Sequence, residues 1–338
     1  MRDKYLDVAK GIGIILVVMV HSSVLSMQAD VWVNQFYMPM FFVISGYLLG
    51  KYNKLNSFDR LKKSVAKFVS IYFCTCVGLL AIRAVMLFRQ DAMSVINARS
   101  IVCILWGRFY DPGNPWVTDD FFSGHLWFLT AMTVSYIMLF LVTKLSKDKL
   151  WRYVVGVVVL VVVAQIFRGT QMLLPWCIDV APVTTLFMLA GYLIGRKDEF
   201  NTPLSWKIGV VDVVCIGMFV VLHDVYDIHM RNYGTQQNVL GILFFTVVAL
   251  SGSVLVIRIS RYLSRIPLVG RGLSYLGENS LSIFLWHILW IVMLGPFVAR
   301  LSFAGTLVQD VIFVASVVIC SLITQKVIHD TYHWFFKK

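Results

Sequence analysis

The stretch Tyr5-Leu-Asp-Val-Ala-Lys-Gly-Ile-Gly-Ile-Ile-Leu-Val-Val-Met-Val-His21 is apolar enough to enter a membrane, yet it carries Asp7, Lys10 and His21. As a helix it sets Lys10 and His21 almost three full turns apart on one face, about 16 Å along the axis. Asp7, one turn before Lys10, is placed to be its ion-pair partner. Charged and titratable groups inside a spanning helix are costly, and they mark a working interior rather than lipid contact. The rest of the chain reads as the enclosure for this helix.

Composition agrees. Of 338 residues, 59% are hydrophobic and 14% charged, where a soluble domain of this length carries nearer a quarter charged. Apolar runs of near-spanning length recur along the whole chain, so the fold class is all-α: a polytopic bundle of about ten transmembrane helices. The expected spans lie near 6–26, 34–50, 68–88, 124–144, 151–168, 181–195, 207–223, 238–257, 279–298 and 306–328, within one integral-membrane domain over 1–338. With the N-terminus inside, most of the 30 lysines and arginines fall on inner segments; Arg83, Arg89, Arg99, Arg108, Arg168, Arg231 and Arg300 are the outer ones. That bias predicts both termini in the cytoplasm. A net charge of +12 dispersed between apolar runs argues for membrane orientation over nucleic-acid binding. The six cysteines have no metal spacing, and no metal site is expected.

Two segments depart from an up-and-down bundle. Residues 89–123 include Trp106-Gly-Arg-Phe-Tyr-Asp-Pro-Gly-Asn-Pro-Trp116 and Asp119-Asp120, and predict an outer loop folded over the bundle mouth with a short helix near 94–106. Residues 224–237 form a second polar outer loop, a connector or a contact for sugar hydroxyls.

His21 is the first candidate for chemistry: it shares a face with Lys10, precedes Ser22 and Ser23, and falls in the outer half of the membrane. A neutral histidine can take a proton from an alcohol, as a sugar hydroxyl attacking a thioester requires. In Phe36-Tyr-Met-Pro-Met-Phe-Phe-Val-Ile-Ser-Gly-Tyr47, Ser45 and Gly46 permit close helix approach, and packing is the first explanation for them. The basic inner loop with Arg60, Lys62 and Lys63 suffices as an orientation signal against lipid headgroups, and equally suits the phosphates of a cytoplasmic donor. In Gly124-His-Leu-Trp-Phe-Leu129, His125 and Trp127 point away from each other, so that one faces the cavity while the other meets lipid; Trp127 also reads as an interfacial anchor. Gly277-Glu-Asn-Ser-Leu-Ser-Ile-Phe-Leu-Trp-His287 puts Glu278, Ser280 and His287 into the ninth span, with Ser280 and His287 on one face. Two polar stripes, on the first and ninth spans, suggest one shared cavity.

Lys10-x10-His21 after Tyr5-Leu-Asp-Val-Ala, the Phe36–Tyr47 segment, His125-Leu-Trp-Phe-Leu129 and Asn279-Ser-Leu-Ser-Ile-Phe-Leu-Trp-His287, in that order, resemble the integral-membrane acyltransferase family 3, in particular its fucose 4-O-acetylase-like branch. The resemblance implies an acyltransferase of the inner (plasma) membrane that moves an acetyl group from cytoplasmic acetyl-CoA to a hydroxyl of an envelope or secreted glycan. It assigns catalysis to His21, as general base or transient acyl carrier, and donor binding to Lys10, Arg60, Lys62 and Lys63. Asp7, Ser45, His125, Trp127, Glu278, Ser280 and His287 remain as cavity candidates. Lysine in place of arginine at several donor positions weakens bidentate phosphate binding. The rival class is a transporter or exporter of a glycan or its precursor, since polar stripes also line permeation paths. Transporters often carry two related halves, and 1–168 and 169–338 show no such match.

Overall fold

The computed structural model describes residues 3–55, 57–86, 97–109, 117, 123–170, 173–200, 206–222, 238–300 and 305–336. Among these residues the fold is all-helical, without strands. The helices are α1 (Lys4–His21), α2 (Met27–Asn34), α3 (Tyr37–Lys51), α4 (Phe58–Met86), α5 (Ala98–Trp106), α6 (Trp127–Ser146), α7 (Leu150–Thr170), α8 (Ala181–Arg196), α9 (Trp206–Leu222), α10 (Val239–Leu263), α11 (Pro267–Glu278), α12 (Ser280–Val298) and α13 (Leu307–Phe336).

A helix lies on each of the ten expected spans. Seven of them, α4, α6, α7, α8, α10, α12 and α13, are long and apolar enough to cross a membrane. The other three fall short for identifiable reasons. Lys4, Asp7 and Lys10 interrupt the apolar run of α1, and α3 and α9 are 15 and 17 residues long. The ninth expected span is met by α12 to within one residue, but the placement of Glu278 in it needs correction, because Asn279 breaks the helix. Its side-chain amide donates to the Tyr275 carbonyl at 2.9 Å, closing α11, and α12 starts at Ser280. Glu278 therefore ends a separate helix that Pro267 opens, where a missing N–H costs nothing.

The chain divides into two compact units, residues 1–33 with 256–338, and residues 34–255. In the first, α1 packs on α11, α12 and α13, and α12 packs on α13. The α1–α11 contact rests on glycine. A Cβ on Gly277 would strike the Asp7 carbonyl, and one on Gly11 the Leu273 carbonyl. Indole N–H groups join α12 to α13: Trp286 donates to Gln325 Oε1 at 3.0 Å and Trp290 to Thr324 Oγ1 at 2.9 Å.

In the second unit α3 and α8 form the closest pair. Gly46 meets the Met188 carbonyl and Gly50 that of Tyr192; reciprocally, Gly191 meets the Val43 carbonyl and Gly195 that of Tyr47. Partner numbers rise together, so the helices run parallel. Each glycine faces the carbonyl three residues before its counterpart, a local two-fold. The sequences match too, Ser45-Gly-Tyr-Leu-Leu-Gly-Lys51 against Ala190-Gly-Tyr-Leu-Ile-Gly-Arg196, and small residues four apart are what lets helix backbones touch in lipid. Short internal similarity therefore exists where a comparison of whole halves shows none. Parallel α3 and α8 fit the three apolar spanning-length segments between them, α4, α6 and α7.

The expected short helix in the 89–123 loop is α5, capped by the Asn97 side chain on Ser100 N–H at 3.1 Å and ended by Gly107 at φ +74°. Trp106 donates to the Leu173 carbonyl and Trp176 to that of Leu105, which ties α5 to the turn before α8. Residues 110–116, Asp119, Asp120 and the 224–237 loop lie outside the described residues.

Candidate functional site

The first unit gathers the polar residues of α1, α11 and α12. Asp7 is buried in α1, and Lys10 Nζ lies 2.6 Å from its carboxylate, their side chains 4% and 21% exposed. The expected ion pair forms, so Lys10 presents a neutralised pair rather than a bare cation. Beside it, Lys4, Asp7, Arg271, Ser274, Tyr275 and Glu278 line a polar cavity of about 360 Å³ at the N-terminal end of α1. Arg271, on α11, adds a cation there.

At the other end of α1, His21 is exposed, and the helix ends one residue later at Ser22. A histidine in the last turn also faces the negative end of the helix dipole. His287, in α12, has no exposure to solvent. The two rings lie with centroids 5.1 Å apart, inclined by 37°. The two polar stripes of the sequence do meet. His287 Nδ1 is 2.8 Å from the Phe284 carbonyl. A carbonyl can only accept, so Nδ1 carries the proton, and in the neutral ring Nε2 keeps the lone pair. The Phe284 ring, 5.8 Å from His287, packs against it. Ser280, at the first position of α12, is half-buried and stands two turns before His287.

An apolar groove of about 430 Å³ runs along the same unit, lined by residues of α1, α11 and α13 that include Ile15, Met19, Leu276 and Val314, and by Val24 just after α1. Asp310 is its single acidic residue. An isolated carboxylate in an apolar run is a signal the sequence itself carries.

The remaining candidates belong to the second unit. Arg60, Lys62 and Lys63 are exposed on the first turns of α4, with Arg60 donating to the Asn53 carbonyl at 3.4 Å. Ser45 is half-buried in α3 beside the glycine contact. His125 lies in a 3-10 turn, Gly124–Leu126, and is buried. Trp127 is also buried, edge-on to Phe128, which corrects its reading as a lipid-facing anchor. The 3-10 turn preceding α6 changes the angle between residues 125 and 127, so both enter the protein.

One buried pair went unread. Arg108 Nη2 lies 2.6 and 2.7 Å from the two Asp179 oxygens, with side chains 3% and 0% exposed. Asp179 within an apolar run was the available clue. Among the described residues no three His, Cys, Asp or Glu side chains gather as metal ligands.

No curated protein and no solved structure matches the chain. A family model described as an acyltransferase domain matches residues 3–326, nearly the whole length. Apolar helices of spanning length and that match together make this a multi-pass membrane acyltransferase, and the chain belongs to acyltransferase family 3.

Proposed function

We propose that the protein is an O-acetyltransferase of the inner (plasma) membrane, with ten crossings and both termini cytoplasmic, that moves an acetyl group from cytoplasmic acetyl-CoA to a hydroxyl of an envelope or secreted glycan. Its motif order resembles that of the fucose 4-O-acetylase-like branch. The observation that carries the chemistry is His21: an exposed imidazole ending a mostly buried helix, with a second imidazole against it. The step needs a base. As the hydroxyl oxygen bonds to the thioester carbonyl carbon, its proton passes to the His21 lone pair. The C–S bond then breaks, and His21 returns the proton to the departing thiolate, leaving an ester and free coenzyme A thiol.

Donor phosphates fall to the cytoplasmic cations. Lys10 is held by Asp7; in its own unit the Lys4–Arg271 wall of the polar cavity offers the better-placed charges, and in the 34–255 unit Arg60, Lys62 and Lys63 on α4 are the alternative set. Ser45, His125, Trp127, Glu278 and Ser280 serve the enclosure rather than the bond-making step.

Purified protein with His21→Ala is expected to lose acetyl-CoA turnover while keeping expression and thermal stability, and a strain carrying it to lose the acetyl increment from its glycans. Retained acetylation would sink the assignment.

A further inference from the structure

We infer that His287 is the positioning residue of the reaction, holding His21 in the tautomer and orientation that a base requires. The inference rests on the acyl-transfer reading above and deepens it. Three observations combine.

The first is the spacing. Two imidazoles meeting edge to edge across one N–H···N bond have centroids roughly 5 Å apart, two ring radii plus about 2.9 Å. The observed 5.1 Å puts the rings within reach of that bond, and such contacts tighten when substrate binds.

The second is polarity. The Phe284 carbonyl accepts from Nδ1 of His287, so the neutral ring has its acceptor at Nε2, on the opposite edge. An acceptor is what His21 needs. If one nitrogen of His21 donates to Nε2, the other is left with its lone pair for the incoming hydroxyl. The same bond strengthens when His21 takes the proton, because its donor is then charged.

The third is rigidity. His287 is wholly buried, bonded within its own helix and packed by Phe284, on a helix fastened to α13 through Trp286 and Trp290. His21 ends its helix and is exposed. A fixed ring beside a reachable one is the arrangement of a base and its orienting partner, with the acceptor supplied by a neutral imidazole in place of a carboxylate.

The test uses the full-length protein in nanodiscs with His287→Leu and His287→Gln, and His287→Met in case the leucine variant does not fold. Gln offers Oε1 as an acceptor; Leu and Met offer none. In the apolar variants kcat is expected to fall about 100-fold, with KM for acetyl-CoA within about twofold, and Gln to recover about tenfold of the loss. A readout independent of turnover is the rate at which diethyl pyrocarbonate modifies His21, followed by mass spectrometry with exposed His329 as internal reference. It is expected to slow about threefold in the apolar variants at an unchanged His329 rate. The inference is overturned if the apolar variants keep kcat, if they lose KM instead, if Gln is no better than Leu or Met, or if His21 reacts at the wild-type rate throughout. Failure of the acyl-transfer reading looks different: the wild type would turn over no acetyl-CoA, while the modification rates would still report whether His287 orients His21.

Discussion

The two units put their polar residues to opposite uses. In the 34–255 unit, those of the interior pair with one another. Arg108 and Asp179 neutralise each other in the interior, Tyr47 donates to Asp198, and Lys51 Nζ lies 3.0 Å from that same carboxylate. Its tightest contact is glycine against backbone between α3 and α8. In the other unit, polar side chains line a cavity or stand next to one another: Lys4, Arg271 and Glu278 around the polar cavity, and His21 against His287. Both units spend glycine on close helix contact, at Gly11 and Gly277 as at Gly46 and Gly191. What differs is whether the polar groups are paired with one another or line a cavity. The interior of the 34–255 unit reads as framework, with exposed Arg60, Lys62 and Lys63 as its candidates for donor binding, and the other unit holds the candidate base.

That contrast can be broken by substitutions with opposite signatures. The largest expected effect on stability is Gly191→Val, which drives a branched side chain into the Val43 carbonyl and forces α3 and α8 apart. We expect a loss above about 4 kcal/mol and little monodisperse protein in detergent, read by size-exclusion chromatography. Next is Asp179→Ala, which leaves the Arg108 guanidinium buried without its carboxylate. The expected cost is about 3–5 kcal/mol in thermal or denaturant unfolding, with the catalytic constants of the surviving folded fraction near wild type. A stable Asp179→Ala protein with lost turnover would move this pair from framework to site.

Smaller effects sharpen the comparison from the other side. Trp290→Phe removes one hydrogen bond between α12 and α13 and is expected to cost about 1 kcal/mol. Because α12 carries His287, a fall in turnover beyond what the stability loss explains would show that the helix position itself matters. Last, Lys62→Ala with Lys63→Ala removes two exposed charges from α4. We expect unchanged stability and a rise of about threefold to tenfold in KM for acetyl-CoA with kcat preserved; an unchanged KM would leave Lys4 and Arg271 as the better donor-binding candidates.

Much of this was legible along the chain because bilayer physics is local. An apolar run of about twenty residues declares its own helix, so a helix stands on each expected span. Asp7 and Lys10 found each other for the same reason: their pairing depends only on a helix being a helix. Trp127 was misread because the 3-10 turn before it altered its direction, and Glu278 was put into the ninth span because Gly277–His287 reads as one segment, whereas Asn279 closes the helix that starts at Pro267. The α3–α8 match escaped notice because a seven-residue likeness is too short to weigh until both copies are seen touching.

The sequence by itself determined an all-helical membrane protein with one helix too polar for lipid, and it singled out His21 and His287 as residues that needed explaining. It did so because helix formation and burial in hydrocarbon depend on spacing and polarity within one segment. Only the tertiary structure decided that the two histidines, 266 positions apart along the chain, come within 5.1 Å, that Nδ1 of one is fixed by its own helix, and that Arg108 is neutralised by Asp179. Those are contacts between segments, set by how helices pack, and no pattern within either segment contains them.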